Sequence, residues 1–409
     1  LTERLEACGI EMHYTHDEKN LDGYDAVVYT VAISPENPEY LRAKRDGLLL
    51  LSRADYLGYI MTGYKRRIGV CGMHGKSTCT SMCAQVFMDA SADPTVLSGA
   101  EMESMGGAFR IGGSENFIFE ACEYMDSFLD FNPTIAVMLN IEMDHVDYFH
   151  SMDQIRASFA KFVSITGKDG YAVANADDYD VLRALGGYEG HLITFGVRSE
   201  ADFTAENIKY PHGEADFDIY KKGEYFCHVS LGVHGEHNVY NALATAATAD
   251  LCGISGADIE KGLAAFRGAK RRMEFKGTLN GADVYDDYGH HPTEVRTTLE
   301  GVSRMGYDRL WCVFQSHTYS RTAELFDDFV RAFDVADRVI FADIYSARET
   351  DTLGVSGERL ADAVGDKASY LGGLDNIAAF LKENLGKGDV LVVMGAGDIY
   401  KLFDKLDLK

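Results

Sequence analysis

The sequence predicts an α/β protein built on open, mostly parallel sheets and divided into more than one unit. Three observations carry this reading. Short β-branched apolar runs alternate with stretches of helical apolar spacing along most of the chain. One such run, "RRIGVCG" (66–72), passes through a glycine turn into "KSTCTSMCAQVFMDA" (76–90), the strand–turn–helix order that an anion-binding loop needs. The chain has 409 residues, too many for one ordinary core, so two or three domains are expected.

Taken in order, the chain opens on "LTERLEACGIEMHY", which lacks an initiator Met and the layout of a signal peptide. It reads as the interior of a helix, with Leu1, Leu5 and Ile10 on the apolar side, so the chain is expected to begin inside a domain. "DAVVYTVAI" (25–33) is a strand-like run, closed by a loop with Pro35 and Pro38. After the 66–90 unit, "NFIFEACE" (116–123) and "TIAVMLNIEMDH" (134–145) read as buried strands that end in acidic residues, where open parallel sheets place their ligand crevice. "GYAVANADD" (170–178) and "HLITFG" (191–196) continue the strand series, and "NVYNALATAATADLCGI" (238–254) has helical spacing up to Gly253. Past "FRGAKRRMEF" (266–275) the alternation restarts with "ADVYDDYGHHPTEV", "RLWCVFQSHTYSRT", "RVIFADIY" and "DVLVVMGAGDI", a second α/β unit. The expected units are 1–64, 65–268 and 269–409. There are no repeats or low-complexity tracts.

Hydrophobic residues make up 46% and charged residues 25%, the balance of a globular protein. With 39 basic and 64 acidic residues the formal charge is −25, which argues against wrapping nucleic acid or lying on an anionic membrane. No apolar run approaches the ~18 residues of a membrane span. The eight cysteines include no C-x-x-C pair, which fits a reducing, cytoplasmic compartment. Cys79 and Cys83 fall on one helix face, where small buried thiols are expected in preference to a zinc pair.

The candidate chemistry falls into six blocks. In "GMHGKST" (72–78), Gly72 and Gly75 permit a tight turn, the N–H groups that follow start a helix, and Lys76 adds a point charge suited to β/γ-phosphates. The Ser77 and Thr78 hydroxyls suit phosphate or Mg²⁺. The usual phosphate loop has its first glycine where this chain has Val70, so a glycine turn with a solvated lysine is the competing reading. Glu120, Glu123, Glu142, Asp144 and Asp147 lie at strand ends with His145 among them; the acids offer hard oxygen ligands or simply a solvated rim, and His145 alone reads as a structural histidine. His237, Asn238 and Asn241 open a helix, as contacts to a base or sugar or as a cap with a core-facing amide. Lys270, Arg271 and Arg272 stand at the domain junction, either solvated or reaching a phosphate as domains close. "DDYGHHPTE" (286–294) could ligate metal, but His290 and His291 are adjacent and cannot both face one ion on a regular element. "FQSHTYSRT" (314–322) carries His317, Tyr319 and Arg321 just past an apolar strand.

As a set and in this order, "GMHGKST", "EACEYMDSFL", "NIEMDHVDYF", "HNVYNALA", "KRRMEF", "DDYGHHPTE", "QSHTYSRT" and "MGAGDI" resemble the Mur ligases, the ATP-dependent amino-acid ligases of peptidoglycan precursor synthesis. Within that family they are most similar to the branch that joins L-alanine to UDP-N-acetylmuramate. The resemblance spans nearly the whole chain, and the shortened glycine loop is the form this family uses. It implies three domains: a Rossmann-like UDP-substrate domain, a central parallel sheet of the P-loop ATPase kind that binds ATP, and a Rossmann-like C-terminal domain for the amino acid. Family members begin with a glycine-rich strand–loop–helix for the UDP diphosphate, and no such segment precedes residue 1 here. The first domain is therefore expected to be truncated.

The resemblance also implies ATP and Mg²⁺ as cofactors and an acyl phosphate formed on the lactoyl carboxylate and attacked by the amine. Lys76 would hold the transferring phosphate within the loop Gly72, Met73, His74, Gly75, Ser77 and Thr78, with Arg272 on the phosphates. Ser77, Glu120 and His145 would organise magnesium. Asn238 and Asn241 would meet the adenosine part and Asp287 the ribose. Glu123, His290, His317 and Tyr319 would face the substrates, and Arg321 the carboxylate of the amino acid. Thr318 stands where some members carry a second arginine. The rival readings are a recycling ligase of the same family, which adds a preformed peptide, and a non-catalytic nucleotide-binding protein.

Overall fold

A computed structural model describes residues 2–31, 33–146, 148–347, 349–351 and 353–409. At the N-terminal end, β1 (Ala26–Tyr29) and β2 (Leu49–Ser52) pair in parallel. The helix between them, Pro38–Asp46, starts where Asn37 accepts from the N–H groups of Glu39 and Tyr40. It stops at Gly47, whose φ of 69° suits the left-handed C-cap. Ser52 and Asp55 form a reciprocal capping box at the start of the helix Arg53–Met61.

The second sheet holds ten strands: β3 (Arg66–Cys71), β4 (Thr95–Met102), β5 (Gly107–Arg110), β6 (Asn116–Glu120), β7 (Ile135–Met138), β8 (Tyr171–Asn175), β9 (His191–Gly196), β10 (Phe203–Lys209), β11 (Glu214–Lys221) and β12 (Glu224–His234). Their spatial order is β12-β11-β10-β9-β8-β7-β3-β6-β4-β5. From β10 to β4 the neighbours are parallel, and the pairs at both ends are antiparallel. The central strands are buried on both faces, which is why they read as continuous apolar runs. β11 instead alternates buried and half-buried residues, a half-covered sheet whose polar face masked it among the apolar runs. β3 lies between β6 and β7, so the chain leaves it in both directions, and the crevice of an open α/β sheet opens at such a switch point. The run "TIAVMLNIEMDH" was expected as one strand. Only Ile135–Met138 stays in the sheet, and the chain then turns out across the end of β3.

The third sheet comprises β13 (Glu274–Leu279), β14 (Ala282–Asp287), β15 (Arg309–Phe314), β16 (Arg338–Ala342), β17 (Ala368–Gly372) and β18 (Asp389–Met394), in the order β13-β14-β18-β15-β16-β17. All its pairs are parallel except β13–β14. Separate apolar clusters cover its two faces, one around Leu299, Phe329 and Leu360, the other around Ile377, Leu381 and Leu402. The linker between the second and third sheets passes Gly268, at φ 93°. The α/β parallel-sheet class is the one the sequence predicts.

Candidate active site

The end of β3 sets the geometry of the anion loop. Gly72 and Gly75 take φ values of 146° and 83°, a backbone region that disfavours side chains. A Cβ at Gly75 would lie 2.8 Å from Asn241 Oδ1, so glycine also allows the close approach. Asn140, just past β7, clamps the loop: it accepts from the N–H of His74 at 2.8 Å and donates to the His74 carbonyl at 3.0 Å. Gly75 then caps the helix Lys76–Asp89 without a side-chain cap, so its first N–H groups remain available to an anion.

Lys76 Nζ donates to the carbonyls of Gly72 (2.7 Å) and Met73 (3.0 Å) and pairs with Glu123 at 3.0 Å. Burial opposes its charge, but the acidic groups around it, Glu123 foremost, together raise the pKa. Glu123 is fully buried; burial would raise its pKa, yet Lys76 and then His145 hold it below the ordinary carboxylate value. His145 Nε2 lies 3.0 Å from Glu123 Oε1. Ser77 Oγ donates to Glu120 Oε2 at 2.7 Å, and the Gly99 N–H donates to the same oxygen. Ser77, Glu120, Glu123 and His145 thus meet around the first turn of one helix, with His145 joined to Glu123 and Ser77 to Glu120.

A second group lines a cavity of about 1360 Å³ between the second and third sheets. His74, Gly75 and Thr78 face it from the loop, Asn238 and Asn241 from the helix His237–Leu251, and Arg272 and Asp287 from the C-terminal side. Asn241 Nδ2 donates to Asn238 Oδ1 at 3.0 Å, and Asn238 Nδ2 to the His234 carbonyl at 2.7 Å. Asp287 accepts from the N–H groups of Met273 and Gly289, and burial pushes its pKa up to about 6 against the pull of Arg272. Of the three basic residues at the junction, Lys270 and Arg272 line the cavity. Arg271 turns into the third sheet, where it pairs with Asp286 at 3.3 Å and donates to the Gly395 carbonyl.

The third group meets the first at Asp144. Arg321, buried to 7% exposure, donates to Asp144 Oδ1 from Nε at 3.0 Å and from Nη2 at 2.9 Å. Arg321 Nη1 lies 3.4 Å from His317 Nδ1, and the His317 ring lies 5.9 Å from that of His290. Burial resists the Asp144 charge, but Arg321 holds its pKa far below the usual range. Burial pushes the His290 pKa down to about 3. Tyr319 joins through its backbone, its N–H donating to Glu349 Oε2 at 2.6 Å.

Two strand-end acids leave the oxygen-rich rim expected of them. Glu142 turns to His74, His291 and Thr293, and Asp144 to Arg321. Asp147 lies outside the described residues. Sequence reasoning also missed Asn140 as the clamp of the loop, and Glu294, which pairs with His74 at 3.2 Å from the other domain. Asn140 follows an apolar strand, the only local signal; nothing near Glu294 marks its partner. His290 and His291 do diverge, as their adjacency requires: one faces His317, the other Glu142.

Comparisons with known proteins bear on this arrangement. Residues 1–65 match the Mur ligase family catalytic domain, residues 70–249 the Mur ligase middle domain, and residues 271–397 the Mur ligase glutamate ligase domain. The chain belongs to the Mur ligase family. A UDP-N-acetylmuramate–L-alanine ligase of Caldanaerobacter subterraneus is 43% identical, over 99% of this chain and 89% of the relative. The crystal structure of a UDP-N-acetylmuramate–alanine ligase from Thermotoga maritima superposes with a TM-score of 0.82 at 27% identity, covering 99% of this chain and 89% of that one. A murein peptide ligase from Psychrobacter arcticus shares the fold, with a TM-score of 0.72 at 24% identity over 99% of this chain and 90% of that one. Among the described residues no helix of this Mur ligase is long and apolar enough to cross a membrane.

Proposed function

We propose that this protein is the ATP-dependent ligase that forms the amide between L-alanine and the lactoyl carboxylate of UDP-N-acetylmuramate in peptidoglycan precursor synthesis, acting in the cytoplasm. Near-full-length similarity to ligases of that name supports the reaction. The observation that carries the chemistry is the pairing of Lys76 with buried Glu123 at the start of a helix left open to an anion.

In this reading the carboxylate of the sugar substrate takes the terminal phosphoryl group of ATP, releasing ADP, and the amine of L-alanine displaces phosphate from the acyl phosphate. Such a reaction needs charge neutralisation and alignment more than one strong base. Lys76 and the N–H groups of the loop neutralise the phosphates, and Arg272 adds a guanidinium from the C-terminal side. Asn238 and Asn241 take the adenosine, Asp287 the ribose, and His317, His290 and Tyr319 flank the amino acid. Arg321 receives its carboxylate, which requires Arg321 to share or leave Asp144.

The family also implies Mg²⁺, and the residues present fit it: the Ser77 hydroxyl and Glu120 carboxylate are hard oxygen donors 2.7 Å apart, with Glu123 and His145 alongside. Ser77, Glu120 and His145 would hold the ion, and bound magnesium supplies positive charge to phosphate oxygens. The units 1–64, 65–268 and 269–409 remain the domains of this reading, in keeping with the three sheets and the family matches.

A phosphate-release assay with ATP, UDP-N-acetylmuramate and single amino acids tests the proposal. Turnover with L-alanine well above that with glycine, L-serine or a tripeptide is expected; turnover with the tripeptide alone would move the protein to the recycling branch.

A further inference from the structure

We infer that His74, Glu142 and His291 form a second metal site, specific for a first-row transition ion of the zinc type, which ties the anion loop to the C-terminal domain.

One ligand atom from each of His74, Glu142 and His291 lies within 4.8 Å of the others, and Glu142 Oε1 contacts both His74 Nε2 and His291 Nδ1. Small rotations suffice to bring them onto one ion, since ligand atoms ~2.0–2.2 Å from a zinc ion lie a little over 3 Å apart in a tetrahedron. The rings of His74 and His291 lie 4.7 Å apart at 36°, so both present an edge to the same carboxylate.

The outer partners are what make this a built site. A metal-bound histidine ordinarily donates its other ring N–H to a carboxylate or a backbone carbonyl, which fixes tautomer and orientation. His74 Nδ1 lies 3.2 Å from Glu294 Oε1, and His291 Nε2 lies 3.2 Å from the Met143 carbonyl. His291 Nε2–H therefore donates to Met143, which leaves Nδ1 as an acceptor; it takes the Thr293 N–H at 3.3 Å and lies 3.3 Å from Glu142 Oε1. The second Glu142 oxygen accepts from Thr293 Oγ1 at 3.1 Å, and the backbone of His74 is clamped on both sides by Asn140.

Two imidazoles with one carboxylate select Zn²⁺, Co²⁺ or a similar ion over Mg²⁺, which favours oxygen ligands. The site is thus chemically separate from the Ser77–Glu120–His145 group. His74 and Glu142 also line the interdomain cavity, so a fourth coordination position can open to water or a ligand there. His74 and Glu142 come from the central unit and His291 from the C-terminal unit, so the ion would fasten the two across that cavity.

The test is titration of chelator-treated full-length protein with Co²⁺ in excess Mg²⁺, read by the visible absorption of four-coordinate Co²⁺. One equivalent of Co²⁺ is expected, displaced by Zn²⁺. His291→Ala and Glu142→Gln should each weaken binding by more than the 10–100-fold cost of losing an outer partner, and Glu294→Gln by about that cost. His145→Ala should leave the Co²⁺ spectrum unchanged. Circular dichroism of each variant separates ligand loss from misfolding, and the four substitutions are divided between the central and C-terminal units. No Co²⁺ spectrum in excess Mg²⁺, or one lost in His145→Ala and kept in His291→Ala, overturns the proposal.

Discussion

Lys76 is held by two loop carbonyls and by Glu123, so its ammonium is fixed in place before any phosphate arrives. Lys76→Ala should lower kcat about 10²-fold or more, the usual cost of losing a preorganised electrostatic contact. Phosphate release measured beside far-UV circular dichroism checks this; turnover within a few-fold of the parent excludes the role. In the proposed reaction Arg321 combines two duties, holding Asp144 and receiving the carboxylate of L-alanine. L-Alanine offers one methyl group, on the order of 1 kcal/mol of apolar energy, so its carboxylate must supply most of the binding, and a guanidinium fork matches two oxygens. Arg321→Lys should raise the KM for L-alanine and leave that for ATP nearly alone; the reverse pattern would assign Arg321 to the nucleotide. Arg321→Ala also strands Asp144, which is only 4% exposed, and should cost about 3–5 kcal/mol in urea denaturation.

At the scale of the element, the helix His237–Leu251 begins without a side-chain cap. His237 sits in its first turn, and its buried Nδ1 makes no hydrogen bond. Burial first, then Arg272, lowers its pKa from 6.5 to about 4, and the positive end of the helix dipole acts in the same direction. The unfolded chain therefore binds the proton more readily than the folded one between those values. This histidine's contribution to stability is intact above about pH 6.5 and is lost as pH falls toward about 4. Urea midpoints of the parent and of His237→Asn should diverge across that window, the parent falling more steeply toward acid. Parallel curves would show that His237 does not titrate this way.

For the whole molecule, the cavity walls belong to two sheets with separate cores, so a ligand bound there couples them. ATP or ADP at 100 times its Kd should stabilise the protein by about 2.7 kcal/mol, read as a shift of the unfolding midpoint. Arg272 reaches the cavity from the linker and has Glu294 3.8 Å away. Arg272→Ala should shrink the nucleotide-induced shift while changing the ligand-free midpoint little. A full shift in the variant would remove Arg272 from the phosphates.

The sequence alone determined what depends on local chemistry. The buried strands β3, β6, β8 and β18 show as β-branched runs because they are covered on both faces. The anion loop shows because its glycines and lysine are consecutive, and the family shows because eight such blocks keep their order. Tertiary structure decided everything that depends on which strand lies beside which. The β10–β12 meander alternates polar and apolar residues and so lacks a continuous apolar signal. Glu142 and Asp144 read as alike, two residues apart on one loop. The fold sends one to His74 and His291 and the other to Arg321, 177 residues away. The physical reason is that a carboxylate's role is set by the partner it meets, and here His291 and Arg321 come from far along the chain while His74 comes from the anion loop.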